Sequence, residues 1–306
     1  MIEIRLPVTA DLANGLEAHF CEDYQENWLL YEDAAKAVHE LRGFFEDRAA
    51  AEAALGELRD VFPDLPAGAG LVEERPVADA DWKEAYKLHF RPWTDRGLHW
   101  VPVWEQATYD LPVGDVLIPL DPGMAFGTGN HETTRLCVRR LLDVRDAWGA
   151  GALGGKAVID AGCGSGILAL SARKLGFGEV YGFDIDPDAV QISEENAALC
   201  DLTGAIEWRR DDLVGGLDGR QSDILMANIL ANILMDHADR LLAAVKPGGW
   251  LILSGILAKE AETVRACFAE RAAIVWGVQT PTDSRTDGEW ADVCLSRGKE
   301  SVTSNL

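Results

Sequence analysis

The chain has 306 residues, 48% of them hydrophobic and 26% charged, and a formal net charge of −23. It is long enough for a sizeable core and two domains, and too acidic to favour nucleic acid or an anionic membrane surface as a broad partner. Such a balance suits a basic partner. The six cysteines (Cys21, Cys137, Cys163, Cys200, Cys267, Cys294) have no C-x-x-C and no zinc spacing, so no metal site is expected. No run of eighteen apolar residues occurs, and the start does not read as a secretory signal, so a reducing cytoplasm is the expected compartment.

In chain order, Ile2 to Val8 alternates like a strand, and Thr9 is placed to cap a helix running to about Phe20. Asn27 to Tyr31 reads as a strand with Glu32 and Asp33 as turn residues, and Val38 to Phe45 as another. Arg48 to Phe62 is an amphipathic helix with Ala51, Leu55, Leu58 and Phe62 on one face, and Gly70 to Pro76 can return as a strand. The order β-α-β-β-α-β over residues 1–76 resembles a ferredoxin-like split βαβ module. Residues 77–109 differ: a charged helix with Trp82, Tyr86 and Phe90 four apart, then Trp93, Trp100 and Trp104 between prolines, which reads as a helical and aromatic interdomain linker. A domain over residues 110–298 and a polar tail over 299–306 complete the expected layout.

That domain opens with a short buried strand, Val116 to Leu120, followed by Asp121-Pro122-Gly123-Met124-Ala125-Phe126-Gly127-Thr128-Gly129-Asn130-His131-Glu132-Thr133-Thr134. Glycines and hydroxyls just before a helix (Thr134 to Leu142) make a ligand-facing loop in which Thr133 or Thr134 would cap the helix. The second such loop is Asp160-Ala161-Gly162-Cys163-Gly164-Ser165-Gly166, between a buried strand (Ala157 to Asp160) and a helix (Ile167 to Leu175). Alternate glycines after a strand let a ligand approach the backbone beside unpaired helix amides. The G-x-G-x-G spacing disfavours the dinucleotide fingerprint, because Ile167 stands where that motif needs glycine. Gly155-Lys156 is followed by Ala157, so there is no Walker lysine loop either. Asp160 can fix its loop or meet a cationic ligand.

Asp160-x-Gly162-x-Gly164-x-Gly166 resembles motif I of class I S-adenosylmethionine-dependent methyltransferases. The stretch from Asp121 to Thr134 is similar to the signature of the PrmA-type enzymes, which methylate large-subunit ribosomal protein eleven. The resemblance continues through Asp81-Trp82-Lys83-Glu84-Ala85-Tyr86, Trp104-Glu105, Gly182-Phe183-Asp184-Ile185-Asp186-Pro187, Ala227-Asn228-Ile229-Leu230-Ala231, Pro247-Gly248-Gly249 and Leu253-Ser254-Gly255-Ile256-Leu257. It covers residues 79 to 295 well and the first 75 only in layout. Asn130 and Glu132 stand where the family usually has Thr and Pro, which bears on amine positioning more than on the cofactor. The fold so implied is α/β: a class I, Rossmann-like methyltransferase domain with a mostly parallel seven-stranded sheet, behind a small ferredoxin-like α+β domain.

For S-adenosylmethionine, the residues supply backbone approach at Gly162 and Gly164. They also supply a ribose-binding carboxylate at Asp184, which ends the strand Val180 to Phe183 roughly 20 residues past the first glycine. Asp186 reads as a turn acid. Asp211 or Asp212 can meet the adenine amine or simply serve a solvated turn. The resemblance adds Thr134 near the methionine end and Asn228 beside the transferring methyl, with the side-chain oxygen of Asn228 placed to hold a neutral amine. His131 is either structural or a proton acceptor. Nucleic-acid amine methyltransferases usually carry Pro-Pro-aromatic after this Asn or Asp, whereas Ile229 and Leu230 follow here. The expected activity is N-methylation of lysine side chains, the N-terminal amine, or both, of ribosomal protein eleven by a monomer with no direct nucleic-acid or membrane contact. The alternatives are a related methyltransferase for another protein lysine or a small amine, and a protein that binds the cofactor without turnover.

Overall fold

A computed structural model describes residues 2–9, 12–13, 15–16, 19–20, 27–33, 38–45, 47–66, 91–121 and 131–299. The chain divides into two compact units, Met1–Glu84 and Ala85–Leu306. In the first, β1 (Ile2–Val8), β2 (Trp28–Asp33) and β3 (Val38–Phe45) form an antiparallel sheet ordered β1-β3-β2, the order a split βαβ imposes. Helix α1 (Arg48–Val61) starts at Asp47, whose carboxylate accepts from the Ala50 N–H. Its apolar face lays Ala51, Leu55 and Leu58 on Ile4, Leu6 and Leu41. Glu32 and Asp33 continue the second strand instead of turning it, and the strand expected over 70–76 and the helix over 79–90 lie outside the described residues.

The second unit holds a seven-stranded sheet built from β7 (Ala157–Ala161), β8 (Glu179–Asp184), β9 (Glu207–Arg210), β10 (Ser222–Asn228), β11 (Val245–Leu257), β12 (Thr282–Asp287) and β13 (Trp290–Ser296). Their order is β12-β13-β11-β10-β7-β8-β9, all pairs parallel except those made by β13. Every residue of β7 and β10 is buried, as central strands covered on both faces require. Helices α2 (Glu132–Trp148), α3 (Ile167–Lys174), α4 (Pro187–Leu199), α5 (Ala231–Asp236), α6 (Ala238–Ala243) and α7 (Ala261–Val275) connect and cover the strands. One core cluster gathers Val158, Val180, Ile224 and Ile252 with α2 and α3; the other gathers Ile159, Tyr181, Leu225 and Leu251 with α5, α6 and α7. The alternation of strand side chains between the two faces decides which cluster each joins.

The described part of the aromatic stretch is not a linker. Residues 93–120 form a second sheet, β4 (Trp93–Asp95), β5 (Leu98–Pro102) and β6 (Val116–Leu120), in the order β4-β5-β6 with β5 and β6 parallel. Trp100, Ile118 and Leu120 are buried in the same cluster as α2 and α3, and the Trp100 indole N–H donates to Ser171 Oγ at 2.9 Å. Trp93 stacks on Trp100 with ring centroids 3.8 Å apart. Strand pairing here joins residues distant in sequence, so local reading missed it. No helix among the described residues is long and apolar enough to cross a membrane.

Candidate functional site

Between β7 and β10 the sheet order reverses: the chain steps outward through β8 and β9, then returns to begin β10 on the other side of β7. Loops leaving the carboxyl ends of these strands part in opposite directions and leave a crevice there. The glycine loop leaves β7 at that point. Gly162, Gly164 and Gly166 have φ of 75°, 52° and 80°, a region that favours glycine. A Cβ on Gly162 would stand 2.6 Å from Ile229 Cγ2, so the β7 loop and the residue after β10 touch. On the other side, a Cβ on Gly255 would stand 2.5 Å from the Ile229 carbonyl oxygen. Ile229 is gripped between two glycines.

Asp160 is fully buried, and its Oδ2 accepts from the Ala169 N–H at 3.0 Å while Oδ1 has no partner. Burial, reinforced by Asp184, holds this carboxyl well above the usual carboxylate range. Asp184 ends β8, and its carboxylate accepts from the Gly164 N–H (2.9 Å) and the Asp186 N–H (3.1 Å). Each oxygen keeps a further lone pair for an incoming donor. Asp186 caps α4 by accepting from the Asp188 N–H, with Pro187 opening the helix. Asp212 closes a turn by accepting from the Val214 and Gly215 N–H groups, and Asp211 Oδ1 accepts from the Asp212 N–H.

Asn228 ends β10 and is 91% buried, with its Nδ2 reaching Thr134 Oγ1 at 3.5 Å and its Oδ1 unpartnered. That contact brings the first turn of α2 over the carboxyl end of β10. Ser254, paired with Asn228 across β10 and β11, fixes the same turn by donating to the Thr133 carbonyl at 3.0 Å.

His131 caps α2, so the cap is neither threonine: its Nδ1 lies 2.7 Å from Thr133 Oγ1 and accepts from the Thr133 N–H at 3.4 Å. The threonines were misassigned because α2 begins two residues earlier than the hydrophobic periodicity implies, which places both inside its first turn and buries them. Burial lowers the His131 pKa, and its ring packs edge-on against Trp290 at 4.8 Å. Residues 122–130 of the signature loop, including Asn130, lie outside the described residues.

Sequence reading gave Ser254 and Gly255 no role beyond a strand and missed Asn196. Asn196 donates to the Ser165 carbonyl and accepts from the Asp121 N–H, joining the two loops. An asparagine buried among alanines in α4 is the available signal for it.

A family profile described as "Ribosomal protein L11 methyltransferase (PrmA)" matches residues 11–297. The ribosomal protein L11 methyltransferase of Pelobacter propionicus is 37% identical over 97% of this chain and 97% of its own length. The enzyme of that description from Azotobacter vinelandii is also 37% identical, over 94% and 98%. The crystal structure of a ribosomal protein L11 methylase from Lactobacillus delbrueckii subsp. bulgaricus is 33% identical and superposes with a TM-score of 0.57, covering 68% of this chain and all of that one.

Proposed function

This chain belongs to the ribosomal protein L11 methyltransferase family, and from that premise we propose that it methylates lysine side chains, the N-terminal amine, or both, of ribosomal protein L11, with S-adenosylmethionine as the methyl donor. The observation that carries this reading is Asn228: a buried side-chain oxygen with no partner, at the switch point of the sheet. A buried acceptor left without a donor costs about 1–3 kcal/mol, and a site that binds an amine recovers it.

The residues present fit the donor. Gly162, in the left-handed region and packed against Ile229, lets the β7 loop turn at the carboxyl end of the sheet, where the donor's backbone contacts would lie. The Asp184 carboxylate accepts from ribose hydroxyls, and Gly164, tied to it, sets the loop against the cofactor. Thr134 lies at the methionine end, beside Asn228. When bound, S-adenosylmethionine supplies an electrophilic sulfonium methyl.

The protein's own task is placement and protons. A lysine with a pKa of about 10.4 is almost wholly protonated at pH 7, so the site must favour its neutral form. Asn228 Oδ1 accepts an N–H of the neutral amine, aided by the backbone carbonyls of Asn228 and Ile229, and aims the lone pair along the line of transfer. Thr134 holds the other end of the amide, which fixes the direction of Oδ1. We assign His131 the positioning of α2, because its Nδ1 is committed to Thr133.

The net charge of −23 suits a basic protein substrate, and the encounter should weaken with salt. Ile229 and Leu230 in place of Pro-Pro-aromatic weigh against a nucleobase amine. Cys137, Cys163, Cys200, Cys267 and Cys294 are free thiols, which fits a reducing compartment. The test is intact-mass spectrometry of L11 incubated with this protein and the donor. Mass gains in whole methyl steps support the reading; an unchanged mass, with the donor bound, sends the search to other amines.

A further inference from the structure

Arg135 follows Thr134 in the first turn of α2, and it stands apart from the other arginines. Among the described residues, the arginines that are not exposed each reach a carboxylate or carbonyl oxygen, as Arg140 does with Asp292, Arg139 with Asp287 and Arg173 with the Phe177 carbonyl. Arg135 reaches none, and its Nε is buried without an acceptor. Its guanidinium instead lies 5.6 Å from the ring centre of Trp93, whose own buried indole N–H also lacks a partner. The stack on Trp100, itself bonded to Ser171, holds Trp93 in place.

A guanidinium on an indole face keeps its flat fork free for a planar, two-oxygen acceptor. Of the usual alternative, the amides of a helix N-terminus, those of Thr133, Thr134 and Arg135 are spent here. The Thr133 N–H goes to His131 Nδ1, and the Thr134 and Arg135 N–H groups go to the His131 carbonyl. Glu132, the first residue of the same helix, adds a negative charge that an incoming anion must overcome. S-adenosylmethionine carries one anionic group, the carboxylate of its methionine arm, which a cation at this turn would match.

We propose that Arg135, seated on Trp93, binds the methionine carboxylate of the cofactor. This rests on the reading of the site as an S-adenosylmethionine site with Thr134 at its methionine end. It makes Arg135 a cofactor-binding residue and α2 the element that senses that end of the ligand.

Titration calorimetry with S-adenosylmethionine and with its decarboxylated analogue tests it on wild type, Arg135→Gln and Arg135→Lys. Wild type is expected to prefer the carboxylated ligand by roughly tenfold or more, the size of a charged hydrogen-bond pair. Arg135→Gln should lose that preference while binding the decarboxylated analogue as wild type does, which also shows that the variant is folded. Arg135→Lys should recover part of it. An undiminished preference in Arg135→Gln overturns the proposal. So does an unmoved affinity with a raised KM for the protein substrate, which would give the carboxylate to the substrate. Wild type that binds neither ligand would overturn the cofactor reading and this assignment together.

Discussion

Asp223 and Asn228 stand near opposite ends of the same strand, β10, and each is 9% exposed. At the amino end, Asp223 is fully matched: Lys156 Nζ at 2.8 Å, the Ala157 N–H at 3.0 Å and Lys246 Nζ at 3.2 Å. Those donors outweigh the cost of burial and hold its carboxyl below the usual range. At the carboxyl end, Asn228 Oδ1 has no partner, and neither has Asp160 Oδ1 on the adjacent strand. Equal burial with opposite satisfaction separates these two residues, although not the two ends of the strand as a whole, because Ser222 Oγ at the amino end is also buried without a partner. Polarity matched inside the protein ties strands together; the unmatched Asn228 oxygen stands out because it also lies at the switch point of the sheet.

Substitutions at the two ends should therefore fail differently. The largest effect is expected from Asp184→Ala, which removes the acceptor proposed for two ribose hydroxyls. Affinity for S-adenosylmethionine should fall at least ~100-fold, since each hydrogen bond to a charged group contributes about 1.5–3 kcal/mol. Calorimetry on folded variant decides it, and a retained affinity would put the ribose elsewhere.

At the amino end, Asp223→Ala leaves the Ala157 N–H without its acceptor. Stability should drop by about 1–3 kcal/mol in denaturant unfolding, with cofactor affinity unchanged. Lys156 and Lys246 add little to that loss, since both remain partly exposed to water.

Asp160→Asn sharpens the contrast through pH. The folded state holds the Asp160 proton while the unfolded chain releases it above about pH 3.8, so wild-type stability falls as pH rises from there towards the raised folded pKa. Asparagine keeps an acceptor for Ala169 and has no proton to hold. The variant should be as stable as wild type near pH 4 and more stable near pH 7 without cofactor. Parallel melting curves across that range would contradict the burial argument.

His131→Asn should have the smallest effect. Asparagine caps helices well, so kcat is expected to stay within roughly tenfold and the shape of the pH–rate profile to stay the same. In wild type the lowered pKa keeps the imidazole neutral, and stability should decline below about pH 6.5 as the unfolded chain takes up a proton that the folded one refuses. Loss of the acidic limb of the rate profile in the variant would instead make His131 a proton acceptor.

Much of the candidate site's layout was legible because its signals are local. Alternate glycines after a buried strand locate the β7 loop and an acid about one βα unit later gives Asp184, whereas Asn228 and Thr134 entered only through the family resemblance. What stayed hidden depends on pairing across the chain. Trp93 and Trp100 read as linker aromatics because nothing local shows that β5 pairs with β6 or that Ser171 receives the Trp100 N–H. The cap of α2 was misplaced because histidine is an uncommon capping residue while two threonines stand beside it. Ser254 and Gly255 were visible only as part of a strand; their bearing on Thr133 and Ile229 needs β11 beside β10.

The most direct measurement is single-turnover methyl transfer to L11, followed by intact mass, for wild type and Asn228→Ala loaded to saturation with S-adenosylmethionine. If the unmatched oxygen of Asn228 holds the amine, the rate should fall by about 100-fold or more while cofactor affinity and melting temperature stay close to wild type. A variant that transfers at the wild-type rate, or that loses its rate only by unfolding, would contradict the claim that the unmatched oxygen of Asn228 is the working group.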